Sequence, residues 1–157
     1  MLGNAAYSQK DSVRVAHNVF YLEVLGIAGY GSVNYERVIH YKKSWMFAAR
    51  VGLSTYKTND YTNKFNPDIL VPIAVYGSYG KNHKIELGIG QLFQSIVQVN
   101  LNEFKPERTN NFNTVFSLGY RYQKKQSGIF FRAAYTPLID YTGYFRNWGG
   151  ISIGYSF

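Results

Sequence analysis

Apolar and polar residues alternate one for one along eight stretches of this chain, the period of β-strands whose two faces meet different surroundings. The stretches run from Asn18 to Ala28, Ser32 to His40, Trp45 to Tyr56, Ile69 to Tyr79, Lys84 to Ser95, Phe112 to Tyr122, Ile129 to Leu138 and Trp148 to Phe157. In the third, Trp45, Phe47, Ala49, Val51 and Leu53 oppose Ala48, Arg50, Gly52 and Ser54. The sixth sets Phe116, Leu118, Tyr120 and Tyr122 against Ser117, Gly119 and Arg121, and the seventh sets Ile129, Phe131, Ala133 and Tyr135 against Phe130, Arg132, Ala134 and Thr136. The fifth sets Ile85, Leu87 and Ile89 against Glu86, Gly88 and Gly90. The first sets Phe20, Leu22 and Val24 against Tyr21, Glu23 and Leu25; the second sets Val33, Tyr35 and Ile39 against Ser32, Asn34 and Glu36. In the last, Ile151, Ile153, Tyr155 and Phe157 oppose Gly150, Ser152, Gly154 and Ser156. The fourth gives no face assignment, since Ile69 to Val75 is apolar on both sides and contains Pro72, which cannot donate to a ladder.

The connections alternate in length. Tight turns are expected at Tyr41 to Ser44, Gly80 to His83 and Gln123 to Gly128, and longer polar loops at 57–68, 96–111 and 139–147. The first connection, Gly29-Tyr30-Gly31, is short although it falls on the long-loop end. Composition agrees with β structure: aromatic residues are 18%, with 15 Tyr and 11 Phe, and Gly is 15. No apolar run approaches the roughly 20 residues of a membrane-spanning helix. Cysteine is absent, which removes disulfides, thiolate metal sites and cysteine nucleophiles. The net charge of +8 raises nucleic acid as a partner, but Lys10, Lys42, Lys43, Lys57, Lys64, Lys81, Lys105, Lys124 and Lys125 fall in turns, tails and loops, with Lys84 at a strand start. They make no stripe with the aromatics, so no nucleic-acid partner is expected.

Alternation leaves two barrels open: a soluble calycin-like carrier with an apolar cavity, and a membrane barrel with a polar interior. Three observations favour the second. The polar face is crowded with Gly, Ser and Ala, which suit a confined lumen. Strand interiors place Glu and Arg on that face and almost no Lys, and Arg suits fixed, buried pairing. Trp45, Tyr56, Tyr79, Tyr122, Tyr135, Trp148 and Phe157 stand near strand ends, as in an interfacial aromatic girdle. The expected fold is therefore all-β: an eight-stranded antiparallel up-and-down transmembrane β-barrel over residues 17–157.

The final strand, with Tyr155 and the terminal Phe157, resembles the C-terminal strand of bacterial outer-membrane barrels, whose last aromatic residue is an assembly signal read by the barrel insertion machinery. Further segments carry a wider resemblance. They are Tyr21-Leu22-Glu23 with Gly31-Ser32-Val33-Asn34-Tyr35-Glu36-Arg37, then Gly80-Lys81-Asn82-His83-Lys84-Ile85-Glu86-Leu87-Gly88-Ile89-Gly90, and Gly119-Tyr120-Arg121-Tyr122 followed by Phe131-Arg132-Ala133-Ala134-Tyr135-Thr136-Pro137-Leu138. Over Asn18 to Phe157 the chain resembles small outer-membrane β-barrel proteins of the Bacteroidetes group, mostly of unassigned function. The resemblance implies the bacterial outer membrane as location and its lipid as surroundings, and it carries no catalytic residues.

Glu23, Glu36 and Glu86 face Arg50, Arg121 and Arg132 across the expected lumen, each near the middle of its strand. An unpaired charge there is strongly unfavourable, so three acids against three bases read as an interior network that plugs the barrel and fixes register. The other reading of the same residues is a narrow, porin-like ion or solute pore. A lipid-modifying enzyme, of lipid A deacylase or acyltransferase kind, needs a base near a serine at the outer rim, yet His17, His40 and His83 all fall at the tight-turn, periplasmic end. No enzyme activity, metal site or cofactor is expected. The leading functional expectation is a structural barrel or one that binds a surface partner through loops 57–68, 96–111 and 139–147, whose Asn, Tyr and Phe suit adaptable contacts. At the other terminus Ala5-Ala6-Tyr7-Ser8 resembles the end of a secretory signal peptide cut before Gln9, although its basic and apolar regions are missing; we expect a truncated start. Residues 1–16 are thus a residual signal end and a mobile lead-in.

Overall fold

Bulky apolar residues at every second position, with small or polar ones between, stabilise a sheet that has one face in an apolar surrounding and the other in a narrow interior. The computed structural model describes residues 15–100 and 104–157, and the regular structure in them is all β. The strands are β1 (Asn18–Leu25), β2 (Gly31–Lys42), β3 (Trp45–Ser54), β4 (Ile69–Gly80), β5 (His83–Asn100), β6 (Lys105–Gln123), β7 (Gly128–Tyr135), β8 (Leu138–Ile139), β9 (Phe145–Arg146) and β10 (Gly149–Ser156). The proposed signal end lies outside the described residues.

Strands β1 to β7 each pair antiparallel with their chain neighbours, and β10 closes the sheet between β7 and β1, giving an eight-stranded barrel. Leu22 stands opposite Ile153 at the closing seam and Leu118 opposite Tyr135 between β6 and β7. The two-residue strands β8 and β9 form a small hairpin in the last connection, and β8 pairs with β6 beyond the end of β7. A register shift between Val38 and His40 marks a bulge near the end of β2.

The outer wall is the bulky face, with Phe20, Val33, Phe47, Val75, Leu87, Leu118 and Ile153 all exposed. Strand β4 resolves as Ile69, Ile73, Val75 and Tyr79 outward and Leu70, Pro72, Ala74, Tyr76 and Ser78 inward. From Ile69 to Tyr79 the apolar wall extends about 33 Å along the strand, or roughly 25 Å in height at a tilt of ~40°.

Three expectations are corrected. The segment 96–111 is not a loop: β5 and β6 continue as a paired hairpin to Asn100 and Lys105, with Ile96 opposite Thr109 and Val99 opposite Pro106. Above the Phe93 and Phe112 pair, whose rings lie 5.1 Å apart, the hairpin leaves the apolar belt. Its residues turn polar there while backbone pairing persists. Strand β1 stops at Leu25 rather than Ala28, because Leu25 (φ 61°) and Gly26 (φ 83°) adopt left-handed backbone. The left-handed φ at Gly26 favours glycine, and a Cβ there would also displace the Glu23 carboxylate, which it would meet at 1.9 Å. Leu25 accordingly faces outward.

The inward turn drops Ile27 and Ala28 into the barrel mouth, where they pack with Leu70, Ala74, Tyr76, Leu92 and Val115. The lumen is therefore layered rather than polar throughout. This apolar cluster fills the loop end, charges fill the middle, and Val38, Met46 and Ala48 form a second apolar cluster towards the tight turns.

Candidate functional site

The six interior charges converge, in two groups. Four of them close a ring: Arg121 contacts Glu36 at 2.5 Å and Glu86 at 2.8 Å, and Arg132 contacts the same two carboxylates at 2.6 and 2.7 Å. Arg121 and Arg132 are direct cross-strand neighbours of β6 and β7, an unfavourable like-charge pair that the two shared carboxylates offset. The bonds cross the lumen, since Glu36 comes from β2 and Glu86 from β5. The second group is Arg50 with Glu23 at 2.7 Å. Arg50 stands opposite Glu36 in the ladder of β2 and β3 yet pairs with Glu23 of β1 instead.

Several members of this cluster were not singled out by sequence. The Tyr21 hydroxyl accepts from Arg50 at 3.2 Å and from Arg132 at 3.0 Å, linking the two groups. Ser78 donates to Glu86 at 2.9 Å, Gln123 accepts from Arg121 Nε at 2.8 Å, and buried Lys84 donates to the Gln123 carbonyl at 2.6 Å. The Arg132 guanidinium lies 4.4 Å from the Tyr76 ring centre and that of Arg121 lies 4.8 Å from Phe130. The available signal was the period of two: Tyr21, Gln123 and Lys84 each stand two positions from a charged member on the same face. The four residues of the closed ring are at most 2% exposed. The Arg50 layer is looser, for its Nε and Nη2 hydrogen-bond no group among the described residues.

The aromatic positions separate by location. Trp45 and Tyr79 meet on the outer wall with ring centres 5.0 Å apart, and Tyr122 lies 5.1 Å from His83. Tyr135, Tyr155 and Phe157 are also exposed, and Trp148 is partly so. Tyr56 departs from the expected girdle. Its ring meets Tyr30 at 5.8 Å and its hydroxyl accepts from Gln94 on the inward side of β5, so it covers the mouth. Burial there pushes the Tyr56 hydroxyl pKa above its ordinary value. His17, His40 and His83 lie at the tight-turn end; His17 contacts the Val38 carbonyl at 3.2 Å and His83 the Tyr120 hydroxyl at 2.6 Å. Among the described residues no group of three His, Asp or Glu could hold a metal ion.

No protein-family model matches the chain, and no curated protein matches it. Among solved structures it is similar to the crystal structure of the N-terminal β-barrel domain of Pseudomonas aeruginosa OprF, at a TM-score of 0.58. The fold is of that kind. The likeness covers 92% of this chain and 100% of the OprF domain at 14% identity. Like the OprF domain, the chain is a β-barrel, here of eight strands.

At the loop end two connections repeat one turn. Asp60-Tyr61-Thr62-Asn63-Lys64-Phe65 and Asp140-Tyr141-Thr142-Gly143-Tyr144-Phe145 share their spacing. Asp60 Oδ1 accepts from the Thr62 amide and hydroxyl at 2.8 and 2.6 Å, and from the Lys64 amide at 3.3 Å. Asp140 Oδ1 does the same with Thr142 at 3.0 and 2.5 Å and with the Tyr144 amide at 3.0 Å. These bonds, the threonine hydroxyl first, hold both carboxyls below their ordinary pKa. Phe65 and Tyr144 are 80% and 71% exposed, so the two tips present bare rings to solvent.

Proposed function

We propose that the chain is a non-enzymatic bacterial outer-membrane barrel with a plugged lumen, serving structurally or engaging a surface partner through its loop end. One observation carries this reading: the closed Arg121–Glu36–Arg132–Glu86 ring fills the barrel waist while Ile27 and Ala28 fill its mouth. Eight strands leave room for side chains and little else. The apolar outer wall, near 25 Å in height, matches a lipid belt. The kinship with small Bacteroidetes outer-membrane barrels, read from the segments quoted above, belongs to the same proposal, as do Tyr155 and Phe157 as an assembly signal. The paired aromatic tips at Tyr61, Phe65, Tyr141 and Tyr144 support contact with a partner that offers flat apolar faces, such as a sugar ring or a protein surface. His17 and His83 support a non-enzymatic reading, since their bonds go to a carbonyl and a phenol rather than to a serine.

A narrow pore is the second reading, favoured by the Glu23–Arg50 layer. There Asn34 Oδ1 and Ser152 Oγ, with the two Arg50 nitrogens, are buried and unbonded within the described structure, polar atoms that water would satisfy. The deciding experiment is a pair. On a detergent gel the unheated protein is expected to migrate faster than the heated one, and in a planar bilayer it is expected to carry no steady current. Steady ion-selective channels would replace the plug with the pore. Solubility without detergent and no heat-dependent shift would overturn the membrane reading.

A further inference from the structure

The net charge of +8 is not spread over the molecule. In the lumen three Glu face three Arg and Lys84, and at the loop end Lys57, Lys64, Lys105, Arg108 and Arg146 stand among Asp60, Asp68, Glu107 and Asp140. The tight-turn end is different. Arg37, Lys42, Lys43, Lys81, Lys124 and Lys125 are exposed there, and no Asp or Glu accompanies them among the described residues. None of the six has a carboxylate partner within ion-pair distance in the described structure. Lys125 Nζ donates to the Lys43 backbone carbonyl at 3.5 Å, so the Lys125 charge is held against the β2–β3 turn. Such a rim is unfavourable in isolation and favours an anionic partner.

We propose that this rim binds the phosphate headgroups of anionic phospholipid in the leaflet at the tight-turn end. The inference rests on the membrane-spanning reading above. Placement selects lipid over another polyanion. Lys42 and Lys43 lead directly into Trp45, Lys81 follows Tyr79 by two residues, and Lys124 follows Tyr122 by two. The Trp45 and Tyr79 rings lie together on the outer wall, where interfacial aromatics sit. Two further residues carry the chain only about 7 Å, so the ammonium groups lie at headgroup depth. Lysine is suited to this work: its stem lies along apolar surface while its compact charge meets a phosphate.

Trp45 makes the test direct. In a W148F variant it is the sole tryptophan, since the chain has two. That variant is folded into phosphatidylcholine bilayers containing either brominated phosphatidylglycerol or brominated phosphatidylcholine, and quenching of Trp45 gives the relative lipid affinity beside the rim. The expected preference for phosphatidylglycerol is roughly five-fold or more at low salt. It should fall towards unity at about 1 M salt, where the screening length is ~3 Å. It should also collapse in K42Q/K43Q/K81Q, with the heat-dependent gel shift retained; if that variant does not fold, the salt series decides. Equal quenching by the two lipids, or a preference indifferent to salt, would overturn the proposal. Equal quenching together with co-sedimentation of the folded barrel on isolated cell-wall sacculi would assign the rim to that polyanion instead. Absence of any heat-dependent shift in phosphatidylcholine would mark failure of the membrane reading itself.

Discussion

Glu36 holds two guanidinium groups at once and is fully buried, so removing its charge strands both. Glu36→Gln is expected to lower the unfolding free energy by about 3 kcal/mol or more, read from the urea midpoint of the barrel in lipid vesicles. Glu23→Gln should cost less, because only Arg50 loses a carboxylate and its surroundings are already polar and loosely bonded. An equal loss in the two variants would contradict the distinction between the closed ring and the looser layer. At the loop tip, Asp140 titrates below the ordinary aspartate value because the Thr142 hydroxyl, then the Tyr144 and Thr142 amides and Arg146, bond its charged form. A depressed folded-state pKa means the turn's extra stability is complete above the ordinary aspartate pKa and is lost as pH falls through the lower, folded value. The amide resonances of Thr142 and Tyr144 should therefore titrate together with a midpoint below ~3.9. A midpoint at or above that value would show that the carboxylate does not hold the turn.

At the scale of elements, the β5–β6 hairpin departs furthest from its reading in sequence. Polar residues at 96–111 look like a loop because hydropathy reports the surroundings of a strand, and on the membrane reading those surroundings are water above Phe93 and Phe112. The β-branched residues Ile96, Val97, Val99 and Thr109 were the surviving clue. The extension braces the loop beside it: Arg108 donates to the Pro67 carbonyl at 3.1 Å and Asp68 accepts from the Val97 amide at 2.9 Å. It adds nothing to barrel closure. Replacing residues 97–108 by Asn-Gly, a two-residue hairpin turn, should leave the heat-dependent gel shift intact and the urea midpoint within about 0.5 kcal/mol. Loss of the shift would make the extension part of the barrel's stability.

For the whole molecule, closure into a barrel was legible because seven of the eight expected strands alternate, and β4 had to wait for its neighbours to show which apolar face turned inward. That the six charges share one face was also legible, from the parity of their positions. Their partners were not: Glu36 lies opposite Arg50 in the ladder, yet bonds Arg121 and Arg132 across the lumen, a choice set by how far the closing sheet is staggered. An apolar wall near 25 Å suits thin bilayers, so folding should be faster and more complete in dilauroyl than in dioleoyl phosphatidylcholine vesicles, as followed by the gel shift. The opposite order would mean that the wall is not the lipid belt. The ring of charges also acts on the order of events during assembly. Its bonds join residues 85 and 96 positions apart, and Tyr21 meets Arg132 across 111, so no early fragment of the chain can complete it. A sheet that closes two residues out of register keeps these charges in the lumen but out of reach of their partners, and such a mispaired barrel should reopen. The waist would then act as a proofreader, favouring the alignment in which β1 and β2 meet β6 and β7.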